Sequence, residues 1–361
     1  MAARNWIMSI CAAIGIAAGM SAAALGLGYG LGVIGWVPVA QPASSGPTWY
    51  ASLAWVIWLA ATATVIGALA AGRVDRVGGR PTRSRHDAAP GAWDAVWLVI
   101  IILAVGIGAM INVPLVALPA RAALLTDNAA PQFTAGGYAL TGVIIGLLVA
   151  VAALTVPAVA ANVILSAAYI GVMALVAAVH SLRAGAGPVG AQLGTWRPSG
   201  EGAPRSMVDL PTAAALVALA LVIGALAAWP GARRGDHRVG VAVSGATGPL
   251  LVAVAYFLTT PGMGERSMQL SGYVVAPYAV LAGVAGSALV SAIGPTGARR
   301  TGTGRARRAA TAERDGAPGP AAWPPRDPAA APAGPVPEPG AQPWAAQPAP
   351  ERAETTDRLP G

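Results

Sequence analysis

The chain has 361 residues, of which 55% are hydrophobic and only 11% are charged. A soluble domain carries roughly 25% charged residues, so this composition excludes the two soluble domains that the length would otherwise suggest. All 23 basic residues are arginines, and the formal net charge is +8. Without lysine the chain cannot form a Walker A phosphate loop or a lysine Schiff base. The single cysteine, Cys11, cannot form an intramolecular disulfide.

Eight segments are long and apolar enough to cross a lipid bilayer, which takes about 20 mostly apolar residues in a helix. In chain order they are Trp6–Gly28, Tyr50–Gly72, Val96–Leu118, Gly137–Val156, Val159–Ser181, Pro211–Trp229, Val239–Leu258 and Gly272–Ile293. Helix is the expected form because the bilayer core offers no water to satisfy free backbone groups. The sequence therefore predicts an all-α, polytopic (multi-pass) transmembrane helix bundle of about eight spans over residues 1–295.

The first apolar run is longer than one span and continues to about Val39. A signal peptide has an apolar core of only about 7–15 residues, so we expect an uncleaved helix, either one long helix or a helix plus a short segment. The run contains Gly30, Gly32 and Gly35 at the spacing of a dinucleotide-binding loop. Such a loop follows a strand and precedes an acidic residue by about 20 positions, and the sequence has neither. These glycines instead predict a helix break or a close helix contact.

The arginines are distributed unequally between the predicted loops. If the N-terminus is placed inside, the inside segments up to Arg308 contain fourteen arginines and the outside loops contain five. Because positively charged loops stay in the cytoplasm, we expect a plasma (inner) membrane protein with both termini cytoplasmic. Tryptophans near the predicted span ends fit an aromatic belt; they include Trp6, Trp36, Trp49, Trp93, Trp97 and Trp229.

The arginine-rich segments also predict contact with a lipid bilayer that carries anionic head groups. The candidate contacts are Arg73, Arg76, Arg299, Arg300, Arg305, Arg307 and Arg308. Aromatic residues are not interleaved with the arginines of the C-terminal segment before Trp323, which argues against single-stranded nucleic acid as a partner. We therefore expect no nucleic-acid binding.

Residues 296–361 form the second predicted unit, which is first basic and then rich in proline and alanine. Such a segment cannot bury enough apolar surface to offset the entropy of ordering it. We expect a disordered cytoplasmic tail that is partly polyproline II. Pro325–Pro328 and Pro332–Pro335 match P-x-x-P, so the tail could contact protein partners.

The predicted spans lack the groups of an intramembrane enzyme or a proton pump. Proton-driven pumps and antiporters place Asp, Glu or His in mid-membrane, and the central parts of these spans contain none. Asp236, His237 and Ser244 are the residue types of a hydrolase triad, but the first two lie in an arginine-rich turn and Ser244 enters a helix. We expect no catalytic residue, no metal site, no cofactor and no enzyme activity.

Neutral polar residues and prolines do occur within the spans. Proline lacks a backbone N–H and frees a carbonyl that a nearby Ser, Thr or Asn can satisfy. The candidate positions are Asn112, Pro114, Pro157, Asn162, Ser244, Thr247, Pro249 and Pro277. They indicate either helix kinks with interhelical hydrogen bonds or a cavity for a neutral solute between broken helices.

Three segments, Leu27–Gly32, Val243–Leu251 and Ala276–Gly283, together with the all-arginine, Ala/Gly/Pro-rich composition, resemble multi-pass membrane proteins of high-GC actinobacteria. The resemblance covers most of the membrane part and not the tail. It implies a source and a membrane location and carries no mechanism.

Two functions therefore remain open. A non-enzymatic scaffold or interaction protein of the cell envelope is favoured by the two arginine-rich segments and the proline-rich tail. The alternative is a permease for a neutral or lipid-like solute, which is favoured by the prolines in the third, fourth and seventh spans.

Overall fold

A computed structural model describes residues 2–36, 45–77, 92–123, 130–183, 193–194, 210–259 and 269–293. In this part of the chain the regular secondary structure is helical. The helices are α1 (Ala2–Gly30), α2 (Ser45–Val77), α3 (Ala92–Ala109), α4 (Asn112–Ala120), α5 (Pro131–Thr155), α6 (Pro157–Arg183), α7 (Leu210–Arg234), α8 (Arg238–Val243), α9 (Thr247–Thr259) and α10 (Gln269–Ile293), with a 3₁₀ turn at Ser244–Ala246. The predicted tail, residues 296–361, lies outside the described residues.

The eight predicted spans are confirmed as eight helical segments long and apolar enough to cross a membrane, counted over the described residues. α3 and α4 together make the third, and α8, the 3₁₀ turn and α9 together make the seventh. The largest boundary difference is in the fourth span, which begins at Pro131 rather than at Gly137. Proline is favoured in the first turn of a helix because its missing N–H has no partner there in any case.

The interior of the bundle is rich in small residues, and many large aliphatic side chains lie on its outside. Its interior is rich in alanine, as at Ala17, Ala139 and Ala255, which are fully buried. Large apolar side chains face outward instead, including Leu148 and Leu281 at 70% and 66% exposure. Water would penalise so much exposed apolar surface, whereas lipid does not, and small residues are those that let membrane helices approach each other. The chain is an integral membrane protein.

Helix α2 is the central helix of the bundle. In its most apolar stretch 83% of the residues are buried, compared with 22% in α1. Its buried side chains point in every direction around the helix, and they include Trp55 and Trp58, whose rings meet edge to face at 5.7 Å. A helix that is covered on all sides has no lipid-facing stripe.

The eight spans form two halves that share one packing scheme. The first half contains α1 to α5 and the second contains α6 to α10. In the first half the most extensive packing joins the second and fourth spans, α2 and α5, and in the second half α10 packs equally on the second span, α7, and on the interrupted third. In each half the first span also packs on the second and third, and the third packs on the fourth. Inspection of the sequence shows no repeat, so this correspondence is visible only in the structure.

Glycines bring the second and fourth spans close together in both halves. A Cβ atom built on Gly142 or Gly146 of α5 would lie 2.6 Å from a carbonyl oxygen of α2. In the second half, a Cβ atom on Gly286 of α10 would collide with the Leu221 carbonyl of α7. Such close backbone approach is how membrane helices gain packing contacts without a hydrophobic driving force between them.

The glycine-rich stretch after α1 ends the helix and forms no binding loop. Gly32 has a φ of +70°, the left-handed conformation that glycine adopts most readily. The Val33 N–H then bonds back to the Gly28 carbonyl at 3.1 Å, as in a helix C-cap. The Trp36 ring packs against the Trp49 ring of α2 in a tilted arrangement, with the ring centroids 4.9 Å apart. Over its described residues, which end at Trp36, the first run is therefore one helix followed by a tight turn.

Candidate functional site

The third span is interrupted between α3 and α4. Pro114 has no N–H to bond to the Met110 carbonyl four residues earlier, and that carbonyl accepts the Val113 N–H instead, at 3.0 Å. This tighter bond leaves the Ala109 carbonyl without its helical donor. The side-chain nitrogen of Asn112 donates to it at 2.8 Å. Two predicted residues, Asn112 and Pro114, thus lie at a true helix break.

Asn112 also joins this break to the first span. Its side-chain nitrogen donates to the Ser21 hydroxyl of α1 at 2.9 Å, and both residues are fully buried. Its Oδ1 atom is buried and has no hydrogen-bond partner among the described residues. A buried acceptor without a partner costs about 1–3 kcal/mol, so this amide is a position where a bound group would be favoured.

The seventh span is interrupted in the corresponding place of the second half, at the 3₁₀ turn. Pro249 cannot donate to the Gly245 carbonyl four residues earlier. The Asn162 side chain of α6 donates to that carbonyl at 3.4 Å, and its Oδ1 accepts the Gly248 N–H at 2.7 Å. The predicted Asn162 and Pro249 therefore belong to one arrangement, in which the first span of the second half stabilises the broken third.

Ser287 of α10 holds the same break from the other side. Its hydroxyl oxygen accepts the Gly245 N–H at 3.2 Å and donates to the Ala242 carbonyl. A Cβ atom on Gly245 would collide with the Gly283 carbonyl of α10, so only glycine fits between the helices here. The sequence interpretation did not single out Ser287, because one serine in an apolar helix gives no signal until its neighbours are known.

The other predicted polar and proline positions have simpler roles. Pro157 is the first residue of α6 and follows Val156, whose extended backbone separates α6 from α5. Residues that precede proline favour this conformation. Thr247 donates to the Ser244 carbonyl at 3.0 Å. Pro277 is exposed and lies inside α10, which continues as one helix from Gln269 to Ile293.

The three triad-like residues near the seventh span do not form a triad. The Asp236 carboxylate pairs with the Arg234 guanidinium at 3.0 Å. The Ser244 hydroxyl is buried and donates to the Val241 carbonyl at 2.7 Å, while His237 is exposed. Within the described part of the chain no group of three His, Cys, Asp or Glu residues is placed to hold a metal ion.

The predicted lipid-contacting arginines are described only in part. Arg73 is exposed near the end of α2, while the side chain of Arg76 lies outside the described residues. Arg299, Arg300, Arg305, Arg307 and Arg308 also lie outside them. At the end of α7 the Arg233 guanidinium lies 4.4 Å from the centre of the Trp229 ring, an arrangement that suits a membrane interface because it combines an aromatic and a basic residue.

A half-enclosed cavity lies beside the interrupted seventh span, between α6, α7, α9 and α10. Its volume is about 50 Å³, which on a scale of roughly 15 Å³ per water is enough for about three waters. Most of its wall is apolar, with Ile170, Leu216, Leu219, Ile223, Val252 and Ala276 among the lining residues. Apart from two tyrosines, its lining residues carry no ionisable side chain.

One end of the cavity adjoins the helix break. Ser166 lines the cavity one turn after Asn162 on α6 and is 7% exposed. No hydrogen bond joins its hydroxyl to another described residue. A Cβ atom on Gly248 would collide with that hydroxyl, so glycine at position 248 leaves room for it. The break thus places an unpaired hydroxyl at the base of an apolar cavity.

Leu193 and Gly194, which lie between α6 and α7 in the chain, line the end of the cavity near Tyr256. Leu193 is 1% exposed, and its carbonyl accepts the Tyr256 hydroxyl of α9 at 2.6 Å. Gly194 lines the cavity beside it with a φ of +79°. Sequence reasoning did not single out Leu193 or Gly194, because one leucine among glycines and prolines carries no periodic signal that would mark it as buried.

Comparisons with protein-family models, with curated proteins and with solved structures gave no match. The candidate site is therefore defined by the geometry of this chain alone.

Proposed function

We propose that this integral membrane protein is a permease for an uncharged, lipid-like solute. The observation that carries the proposal is the half-enclosed apolar cavity beside a membrane helix that is interrupted at Ser244–Ala246. Transporters commonly bind their substrates near the bilayer midplane, at discontinuous helices, and corresponding interruptions in two halves of a chain point to such a site. Here the third span is interrupted in each half.

The chemistry of the lining supports a neutral solute. A charged group in a membrane interior needs a partner of opposite charge or a polar cage, and the cavity offers only hydroxyl groups, backbone groups and apolar side chains. Its apolar wall matches a solute that leaves the bilayer rather than one that enters from water. Flux through the protein would require the cavity to open alternately to each side.

The proposal is tested by filling the cavity. Ala276→Leu places three additional carbon atoms at a lining residue that is 2% exposed, while Ala285→Leu adds the same atoms at an exposed position on the same helix. We expect Ala276→Leu, and not Ala285→Leu, to lower the amount of uncharged apolar molecules that co-purify with the protein in mild detergent, as measured by mass spectrometry. We also expect Ala276→Leu alone to slow the transfer of a labelled neutral lipid in liposomes. Equal retention and transfer by wild type and both variants would contradict the proposal.

The scaffold function depends on other parts of the chain. Its motivation was the tail and the arginine-rich segment between the second and third spans, and most of these residues lie outside the described ones. The scaffold function therefore stays a prediction, which deletion of the tail and crosslinking in cells would test.

A further inference from the structure

We propose that the solute of this cavity is a neutral amphiphile with one hydrogen-bonding head group, which binds the Ser166 hydroxyl, and a slim apolar body, which fills the space along α9. This inference rests on the proposed function and specifies the chemical class of its solute. It combines three features of the cavity: the polar end at Ser166, the far end near Tyr256, and the apolar wall between them.

The polar end is defined by the helix break. The Asn162 amide donates to the Gly245 carbonyl and accepts the Gly248 N–H. Both its nitrogen and its oxygen are therefore already hydrogen-bonded to the backbone of the break. Ser166 lies one turn along the same face of α6. Its hydroxyl forms no hydrogen bond with another residue of the described structure. Because Ser166 is only 7% exposed and lines the cavity, a solute hydroxyl or carbonyl that enters the cavity can satisfy its hydroxyl.

The far end does not call for a second polar group. The Tyr256 hydroxyl already donates to the Leu193 carbonyl, and the Leu193 side chain is buried. Gly248 and Tyr256 are eight residues apart on α9, which corresponds to about 12 Å along the helix axis. A solute with its head at Ser166 therefore has about this length of mostly apolar wall for the rest of its structure.

The wall also limits the width of the solute. A Cβ atom at Gly272 would lie 2.6 Å from the Tyr256 ring, so α9 and α10 are in close contact at this end. The enclosed volume of about 50 Å³ is well below the roughly 150 Å³ of a cavity that holds benzene. It therefore takes a short stretch of a single hydrocarbon chain and not a ring, and the rest of the chain lies along the open side of the cavity. Tyr169 lines the cavity near Ser166 but is only half-buried, so its hydroxyl can reach groups outside the cavity.

The test compares two photoreactive probes that differ only in the head group. The full chain in liposomes is irradiated with an octanol that carries a diazirine, or with an octane that carries the same diazirine, and adducts on α9 and α10 are mapped by mass spectrometry. Ser166→Ala is compared with Ser291→Ala, whose hydroxyl bonds to the Ala288 carbonyl away from the cavity. A monodisperse elution profile and an unchanged helical circular dichroism spectrum establish that each variant is folded.

We expect Ser166→Ala to reduce octanol labelling of the cavity about two- to tenfold, the range of one hydrogen bond, and to leave octane labelling unchanged. Ser291→Ala should change neither. Octanol labelling that does not fall in Ser166→Ala, or a parallel fall for both probes, would overturn the head-group assignment while leaving the proposed function intact. If neither probe labels the wild-type cavity, both proposals are refuted.

Discussion

The close contact between α2 and α5 gives a quantitative prediction for Gly146→Ala. The new Cβ atom would lie 2.6 Å from the Ala61 carbonyl oxygen and 2.8 Å from the Thr64 Cβ atom. A carbon and a carbonyl oxygen in close contact are normally about 3.3–3.6 Å apart, so the two helices would have to separate by up to roughly 1 Å. A gap of that size forfeits about a quarter to a half of the local dispersion energy.

We therefore expect the overpacking in Gly146→Ala to cost about 1–3 kcal/mol of unfolding free energy. Alanine is intrinsically better than glycine in a helix by about 0.5–1 kcal/mol, which offsets part of that cost. Gly137→Ala on the same helix is the matched control, because nothing lies within 4 Å of its built Cβ atom. This control should be neutral or slightly stabilising.

The assay is reversible unfolding of the purified protein in mixed detergent micelles, followed by tryptophan fluorescence and circular dichroism. The quantity that matters is the difference between the two variants, since both introduce the same methyl group into the same helix. Because the helix-propensity gain is common to both variants, Gly146→Ala should be less stable than Gly137→Ala by about 1–3 kcal/mol, the cost of overpacking alone. If Gly146→Ala were as stable as Gly137→Ala, α2 and α5 would not be packed as the structure has them.

Three further predictions address the break, the orientation and the tail. Asn162→Leu removes the side-chain partners of the Gly245 carbonyl and the Gly248 N–H. It should therefore destabilise the fold by about 1–2 kcal/mol in the same unfolding assay and slow solute transfer in liposomes. Wild-type stability together with a wild-type transfer rate would contradict the role given to Asn162. Reporter fusions in the 73–92 loop should report a cytoplasmic position, and an external position would overturn the orientation derived from the arginines. Deletion of the residues beyond Gly297 should change the set of proteins crosslinked to the chain in cells, and an unchanged set would refute an interaction role for the tail.

The helical spans could be predicted from the sequence because their signal is local. Twenty consecutive apolar residues predict a membrane helix whatever lies beside it, and all eight predicted segments are found. The burial of each helix could not be predicted in this way. α1 and α2 are both apolar all round, yet their buried shares are 22% and 83%, because burial depends on which neighbours surround a helix.

The prolines show the same limit at the level of single residues. Pro249 and Pro277 both lie in predicted spans, but only the helix that contains Pro249 is interrupted, while α10 continues through Pro277. The difference lies in the neighbours: Asn162 and Ser287 supply hydrogen bonds to the opened backbone at Gly245. A sequence shows where a backbone bond is missing, and only the packing shows whether another helix replaces it.

The correspondence between the two halves connects these observations to function. In each half a proline, Pro114 or Pro249, follows the interruption of the third span. A buried asparagine also links that span to the first span of its half, because Asn112 bonds to Ser21 of α1 and Asn162 of α6 bonds to the Gly245 carbonyl. The two asparagines lie on different spans, so the correspondence is one of geometry rather than of sequence. The spans contain few polar side chains, and several of these lie at the two breaks. Helix packing alone would be served better by continuous helices, because each break requires side chains to replace lost backbone bonds. This cost is the physical argument that supports the proposed role of the breaks in solute binding.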